Sequence, residues 1–188
     1  FYNMPLLVSR FLLLASRLPP YICLANSETT THLSSFMNSS AQELFIRNWN
    51  VYRKVVAADY MNHAAIGAKI KEALAGIDTP LRVLDAGCGD ATVTLGLLKG
   101  KSIAMYSGID LSAPALELAA AALQEEWIPY ALEEGAIEER IPAYEGECDL
   151  LHMSFVLHHL PDVLKEKVVY HCAAKLKSGG LLILVDAY

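Results

Sequence analysis

From Leu81 onward the chain changes rhythm: short β-rich apolar runs alternate with stretches of helical periodicity, which points to an α/β fold with a mainly parallel sheet. Residues 81–86, 103–110, 128–132, 149–154 and 181–185 read as strands, with helices over 92–99, 113–126 and 162–177. Ser112 is placed to cap the second of these helices, Pro114 sits in its first turn, and Gly179 closes the third. Strands this apolar need cover on both faces, which right-handed strand–helix–strand crossovers supply. Upstream, apolar residues of 42–75 recur at helical spacing (Leu44, Val51, Val55, Ile66, Ile70, Leu74) and stop at Gly76 and the Asp78-Thr79-Pro80 turn, so two or three helices precede the sheet. At 188 residues, 54% apolar and 19% charged, the chain can bury one real core and is unlike a disordered or coiled-coil sequence.

The formal charge is −6, and residues 113–150 hold ten acids against the single Arg140. Such a block repels phosphates, and the nine lysines and six arginines are scattered, so nucleic acid is disfavoured as a partner. Cys23, Cys88, Cys148 and Cys172 form no Cys-x-x-Cys pair, so neither a zinc site nor a disulfide framework is signalled, and a reducing, cytoplasmic setting is the expectation. The longest apolar stretch, 6–24, is broken by Arg10, Arg17, Pro19 and Pro20, which argues against a membrane span. Arg10 and Arg17 lie seven apart, on one face of a helix, in an acid-free start running to residue 27. Three readings of that start stand side by side: an extension ahead of Met37, an organelle-targeting segment, or a lid helix. The Ser/Thr-rich residues 26–40 read as a linker.

The chemistry concentrates after the first strand of the alternating region. Val83-Leu84-Asp85-Ala86-Gly87-Cys88-Gly89-Asp90-Ala91 sets two glycines at a strand end, where a ligand can press against bare backbone. Thr92 stands where a dinucleotide fingerprint needs its third glycine, and no Gly-Lys-Ser/Thr follows, so neither phosphate-binding motif is complete. Asp85, two residues before Gly87, would repel phosphates; the site favours a ligand with positive charge. Asp110, 21 residues after Gly89 at the next strand's end, is placed to accept both hydroxyls of a ribose.

These residues resemble the class I S-adenosylmethionine-dependent methyltransferases, whose first motif is an acid followed by three alternating glycines. Asp85, Gly87 and Gly89 match, and Ala91 departs from the last glycine. Gly108-Ile109-Asp110-Leu111-Ser112 matches the second motif. Cys148-Asp149-Leu150-Leu151-His152-Met153-Ser154-Phe155-Val156-Leu157-His158-His159-Leu160 matches the fourth strand and its turn, and Leu176-Lys177-Ser178-Gly179-Gly180 the turn into the fifth. The resemblance implies a Rossmann-like three-layer sandwich with strand order 3-2-1-4-5 and an N-terminal helical cap. It implies S-adenosylmethionine as cofactor, bound by Asp85, Gly87, Cys88 and Gly89, with the two glycines admitting its methionine portion. Asp110 would take the ribose, Leu111 the adenine, and the backbone at Met153 and Ser154 the methionine end.

The acid that many relatives place near the adenine amine has no match, because Ala136 stands there. His158 and His159 invite a general-base reading, yet they recur in the family as a feature of this turn, which favours a structural role. By this reading residues 1–40 are extension and linker, 41–78 the helical cap, and 79–188 the cofactor-binding domain. Relatives continue beyond the fifth strand, so the domain reads as incomplete, with residues 181–185 left as a bare apolar edge open to homodimerisation. The expected activity is methyl transfer to a small-molecule acceptor; the alternative is a cofactor-binding module or fragment without turnover. An NAD-type oxidoreductase is disfavoured by Asp85 and the absent third glycine.

Overall fold

The computed structural model describes residues 10–16 and 63–187. The expected helices over 42–62 and the linker of 26–40 lie outside the described residues. In chain order the elements are β1 (Arg10–Ser16), α1 (His63–Leu74), β2 (Leu81–Ala86), α2 (Thr92–Leu97), β3 (Ile103–Asp110), α3 (Ala113–Glu125) and β4 (Tyr130–Glu134). Then follow α4 (Ile137–Ala143), β5 (Cys148–Ser154), a 3-10 turn (Leu157–His159), α5 (Asp162–Ala174) and β6 (Leu176–Ala187). All pairings are parallel, in the order β1-β6-β5-β2-β3-β4. Omitting β1, this is the expected 3-2-1-4-5 order, with β2 and β5 side by side where the winding reverses.

The two faces of the sheet carry separate cores. On one side Leu81, Val83, Tyr106, Leu150 and Ile183 meet Ile70 and Leu74 of α1 and Ala119 and Leu123 of α3. On the other, Leu84, Ile109, Leu151, Met153 and Leu182 meet Ile137 and Ile141 of α4 and Val168 and Cys172 of α5. Alternate residues of each strand divide between the two cores because strand side chains alternate in direction. β2, β3 and α3 fall where the periodicity put them, and the Ser112 hydroxyl accepts from the Ala115 N–H as an N-cap.

Three expectations need correction. The fifth strand's edge is not bare: β1 pairs along β6 from Arg10 opposite Leu181 to Ser16 opposite Ala187, so the chain itself occupies the edge proposed for a homodimer. The Phe11-Leu12-Leu13-Leu14-Ala15 run is short, and at that length a fully apolar strand and a buried helix look alike, which is how an arginine spacing of seven suggested a helix across this strand. The last helix ends at Ala174 rather than at 177, with β6 starting at Leu176 and running through the Gly179-Gly180 pair by an irregular register against β5. Finally, residues 137–143, within the acidic block and without an expected helix, form α4, because Ile137 and Ile141, four apart, are buried against the sheet.

Candidate functional site

Ligands of doubly wound sheets settle in the crevice beyond the carboxyl ends of the strands, at the point where strand order reverses. Here that point lies between β2 and β5, and the candidate residues gather around it. Asp85 pairs in register with His152 on β5 and with Gly108 on β3. After Ala86 the chain turns sharply, and the Gly87 and Cys88 N–H groups both donate to the Ile109 carbonyl, at 2.8 and 3.0 Å. Gly87 lies at φ +76°, and a β-carbon there would stand 2.3 Å from Val156 Cγ2, so both conformation and space call for glycine. The loop is therefore bare backbone braced by the turn after β5.

Asp110 closes the other side. Its Oδ2 accepts the Gly89 N–H at 2.8 Å and its Oδ1 the Ser112 N–H at 2.9 Å. Burial raises its carboxyl above the usual range, the Ser112 and Gly89 N–H groups oppose that rise, and the charge of Asp85 adds to it. Leu111, the next residue, is 43% exposed, an apolar surface beside the carboxylate. Cys88 packs under the loop: a β-carbon on Gly108 would stand 2.8 Å from its Sγ. Burial first, then Asp85 and Asp110, push the Cys88 thiol far up, so it is a neutral packing group.

Met153 and Ser154 divide. The Met153 side chain is fully buried in the core under α4 and α5, and its backbone pairs with Ala86 and Leu184 in the sheet. Ser154 lines a cleft of about 430 Å³ between α1 and α2, together with Thr92, Gly96, Leu97 and His152.

Beneath the loop lies a buried polar cluster that sequence reading missed. Asp85, 1% exposed, accepts the Tyr106 hydroxyl at 2.5 Å on Oδ2 and lies 3.0 Å from His152 Nδ1 through Oδ1; Thr94 Oγ1 is 2.9 Å from the same nitrogen. Burial and then Asp85 raise the Tyr106 phenol well above its ordinary range, so it remains a donor. The signal was available: a histidine inside Leu150-Leu151-His152-Met153 is a polar ring in a buried strand and must find a partner. What a sequence does not print is the register that sets it beside Asp85.

His158 has a structural task. Its backbone N–H donates to Asp186 Oδ2 at 3.0 Å and its Nδ1 lies 2.6 Å from Oδ1, tying the 3-10 turn to the end of β6. Its neighbour His159 is lowered to about 4, by loss of solvation first and by His158 second, with Asp186 opposing. Among the described residues there is no cluster of three metal-ligating side chains and no helix long and apolar enough to cross a membrane.

Comparison with known proteins agrees with this architecture. The chain is 33% identical over 111 residues to a probable methyltransferase, ltbC, of Aspergillus luteorubrus, an alignment covering 55% of this chain and 39% of that protein. It is 36% identical over 99 residues to the ubiquinone biosynthesis O-methyltransferase of Thiobacillus denitrificans, covering 53% and 41%. The chain thus spans less than half the length of these relatives. Among solved structures, the magnesium protoporphyrin IX methyltransferase of Synechocystis with bound S-adenosylhomocysteine shares the fold at a TM-score of 0.59 and 18% identity, over 74% of this chain and 68% of that one. The family described as "Methyltransferase domain" matches residues 83–180, just over half of the sequence, and this chain belongs to that family.

Proposed function

We propose that the chain binds S-adenosylmethionine and serves methyl transfer to a small-molecule acceptor. The observation that carries this reading is the pair of carboxylates, Asp85 and Asp110, flanking a bare glycine loop at the reversal of strand order. The segment 85–92 contains no Lys or Arg. One buried and one partly buried acid, without a cation in that loop, suit a ligand with positive charge and neutral hydroxyls, and oppose a pyrophosphate. S-adenosylmethionine fits that donor set, and when bound it supplies an activated methyl group.

The chain's residues then have definite tasks. Asp110, held by Gly89 and Ser112, accepts the ribose hydroxyls, and Leu111 covers one face of the adenine. Gly87 and Gly89 admit the methionine portion, Asp85 and Cys88 support the loop from below, and the backbone at Met153 with Ser154 faces the methionine end. α1 and α2 wall the acceptor side and exclude water. The named relatives include O-methyltransferases, which supports an oxygen acceptor.

Calorimetric titration with S-adenosylhomocysteine, beside Asp110→Ala, tests the reading. A bidentate charged hydrogen-bond pair lost from a partly buried site should weaken binding by roughly 10- to 100-fold while the fold persists. Equal affinity in the variant, or no binding by the folded wild type, overturns it.

A further inference from the structure

His152 is 3% exposed, and its Nε2 is buried with no hydrogen-bond partner. Asp85 as a carboxylate can only accept, so the Nδ1 that faces it carries the hydrogen, shared with Thr94 Oγ1. Nε2 is then a bare lone pair. Leaving a buried acceptor unpaired is unfavourable unless something in the functional state meets it. His152 is also among the residues lining the cleft between α1 and α2, whose other walls include Ile66, Ile70, Val93 and Leu97. The cleft's volume, about 430 Å³, lies in the range that holds small ligands.

The chemistry of the lining selects the occupant. An ammonium group brings three donors and a charge, whereas this cleft offers an aliphatic wall and Lys71 at its edge, which repels a cation. A neutral, mostly apolar molecule with one O–H fits both features. A phenolic hydroxyl ionises near pH ~10 and gives up its proton to an imidazole far more readily than an alkyl hydroxyl does.

We infer that the α1–α2 cleft binds a phenol-type methyl acceptor, and that His152 Nε2 receives first its hydrogen bond and then its proton. That the occupant is the acceptor rests on the function proposed above. In the transfer the O–H proton passes to Nε2 and the O–H electron pair stays on oxygen. That oxygen bonds to the methyl carbon of the sulfonium donor as the carbon–sulfur pair withdraws onto sulfur. The ring's positive charge is met by Asp85, and the proton leaves to water with the product. His152 is thus a catalytic residue and Asp85 its positioning residue, an arrangement seen whenever a carboxylate fixes an imidazole's tautomer.

The test uses the full chain labelled with 15N-histidine, with phenol and its methyl ether, anisole, as probes and the His152 ring nitrogens as the readout. Phenol should bind saturably and move the Nε2 resonance, and anisole, without the donor, should bind about tenfold more weakly, the usual worth of one such hydrogen bond. His152→Asn keeps an N–H for Asp85, loses the lone pair, and should abolish the preference for phenol over anisole. Gly96→Leu is the second variant: a β-carbon at Gly96 meets nothing within 4 Å, so a leucine can enter the cleft without disturbing α2 and should block both probes. Equal binding of phenol and anisole, no movement of Nε2, or wild-type phenol binding by Gly96→Leu would each overturn the inference. S-adenosylhomocysteine titrated in parallel separates the two claims. Its binding without phenol binding sinks this inference alone, whereas phenol binding without it removes the methyl-transfer role and leaves a phenol site.

Discussion

Gly87→Ala separates two costs that the glycine loop combines. Holding alanine at φ +76° costs about 1–2 kcal/mol, because the β-carbon crowds its own carbonyl. The new β-carbon would also stand 2.3 Å from Val156 Cγ2, where ordinary contacts begin near 3.4 Å, so the valine must rotate or the loop must shift, a misfit of about 1–3 kcal/mol. The single variant should therefore lose roughly 2–5 kcal/mol in urea denaturation read by far-UV circular dichroism, with an unchanged m-value. Val156→Ala removes the colliding methyl groups but leaves the backbone strain. In that background Gly87→Ala should cost only about 1–2 kcal/mol, a coupling of about 1–3 kcal/mol between the two sites. If Gly87→Ala costs the same in both backgrounds, the steric account is wrong and the turn after β5 does not brace the loop. S-adenosylhomocysteine affinity measured on the double variant then shows whether the loop recovers its bound shape along with its stability.

Two further outcomes follow from the buried cluster and the histidine pair. Tyr106→Phe removes a donor from the buried Asp85 carboxylate without changing the ring's volume much, and should cost about 2–3 kcal/mol in the same denaturation assay; a loss under about 0.5 kcal/mol would mean that Asp85 does not depend on that hydroxyl. His159 titrates near 4 in the fold against 6.5 in the unfolded chain, so the unfolded state binds more protons between those values. Its contribution is full above pH 6.5 and is lost as pH falls toward 4; because the ring is only partly shielded from water, solvent screening keeps the loss to about 1 kcal/mol or less. His159→Gln should flatten that part of the stability profile, and an unchanged slope would place the titration elsewhere.

Legibility in the sequence followed the physics of each signal. β2, β3 and α3 were readable because their apolar periodicity, their cap and their turn residues agree with one another. The turn after β2 was readable because glycine spacing records backbone geometry directly. Asp85 with Gly87 marks a strand that ends in a left-handed turn, and Asp110 marks the neighbouring strand's end. α4 was hidden because its acids and Pro142 outweigh two buried isoleucines in any compositional reading. β1 was hidden because seven residues carry no period that separates strand from helix, and the partner that decides the matter is β6, at the other end of the chain. The Asp85–His152–Tyr106 cluster was hidden for the same reason, since it exists only once β2, β3 and β5 are in register.

Ala91 shows how a departure from a family's pattern is absorbed. Gly87, Gly89 and Ala91 all take positive φ, at +76°, +54° and +61°, so the third position keeps the left-handed geometry even though its residue has a side chain. That geometry costs alanine about 1–2 kcal/mol relative to glycine. Two terms run the other way. Ala91 is fully buried in the core beneath α1 and α2, where its methyl group contributes about 0.8 kcal/mol, and alanine loses about 0.4–1 kcal/mol less chain entropy on folding than glycine does. The opposing sums are of the same size, so the loop can hold its shape with alanine in place. What alanine changes is the direction of approach: its methyl group is spent on the core side, and the ligand side of the turn still presents Gly87 and Gly89 as bare backbone. The missing glycine is therefore a packing adjustment under the loop, compatible with the cofactor site proposed between Asp85 and Asp110.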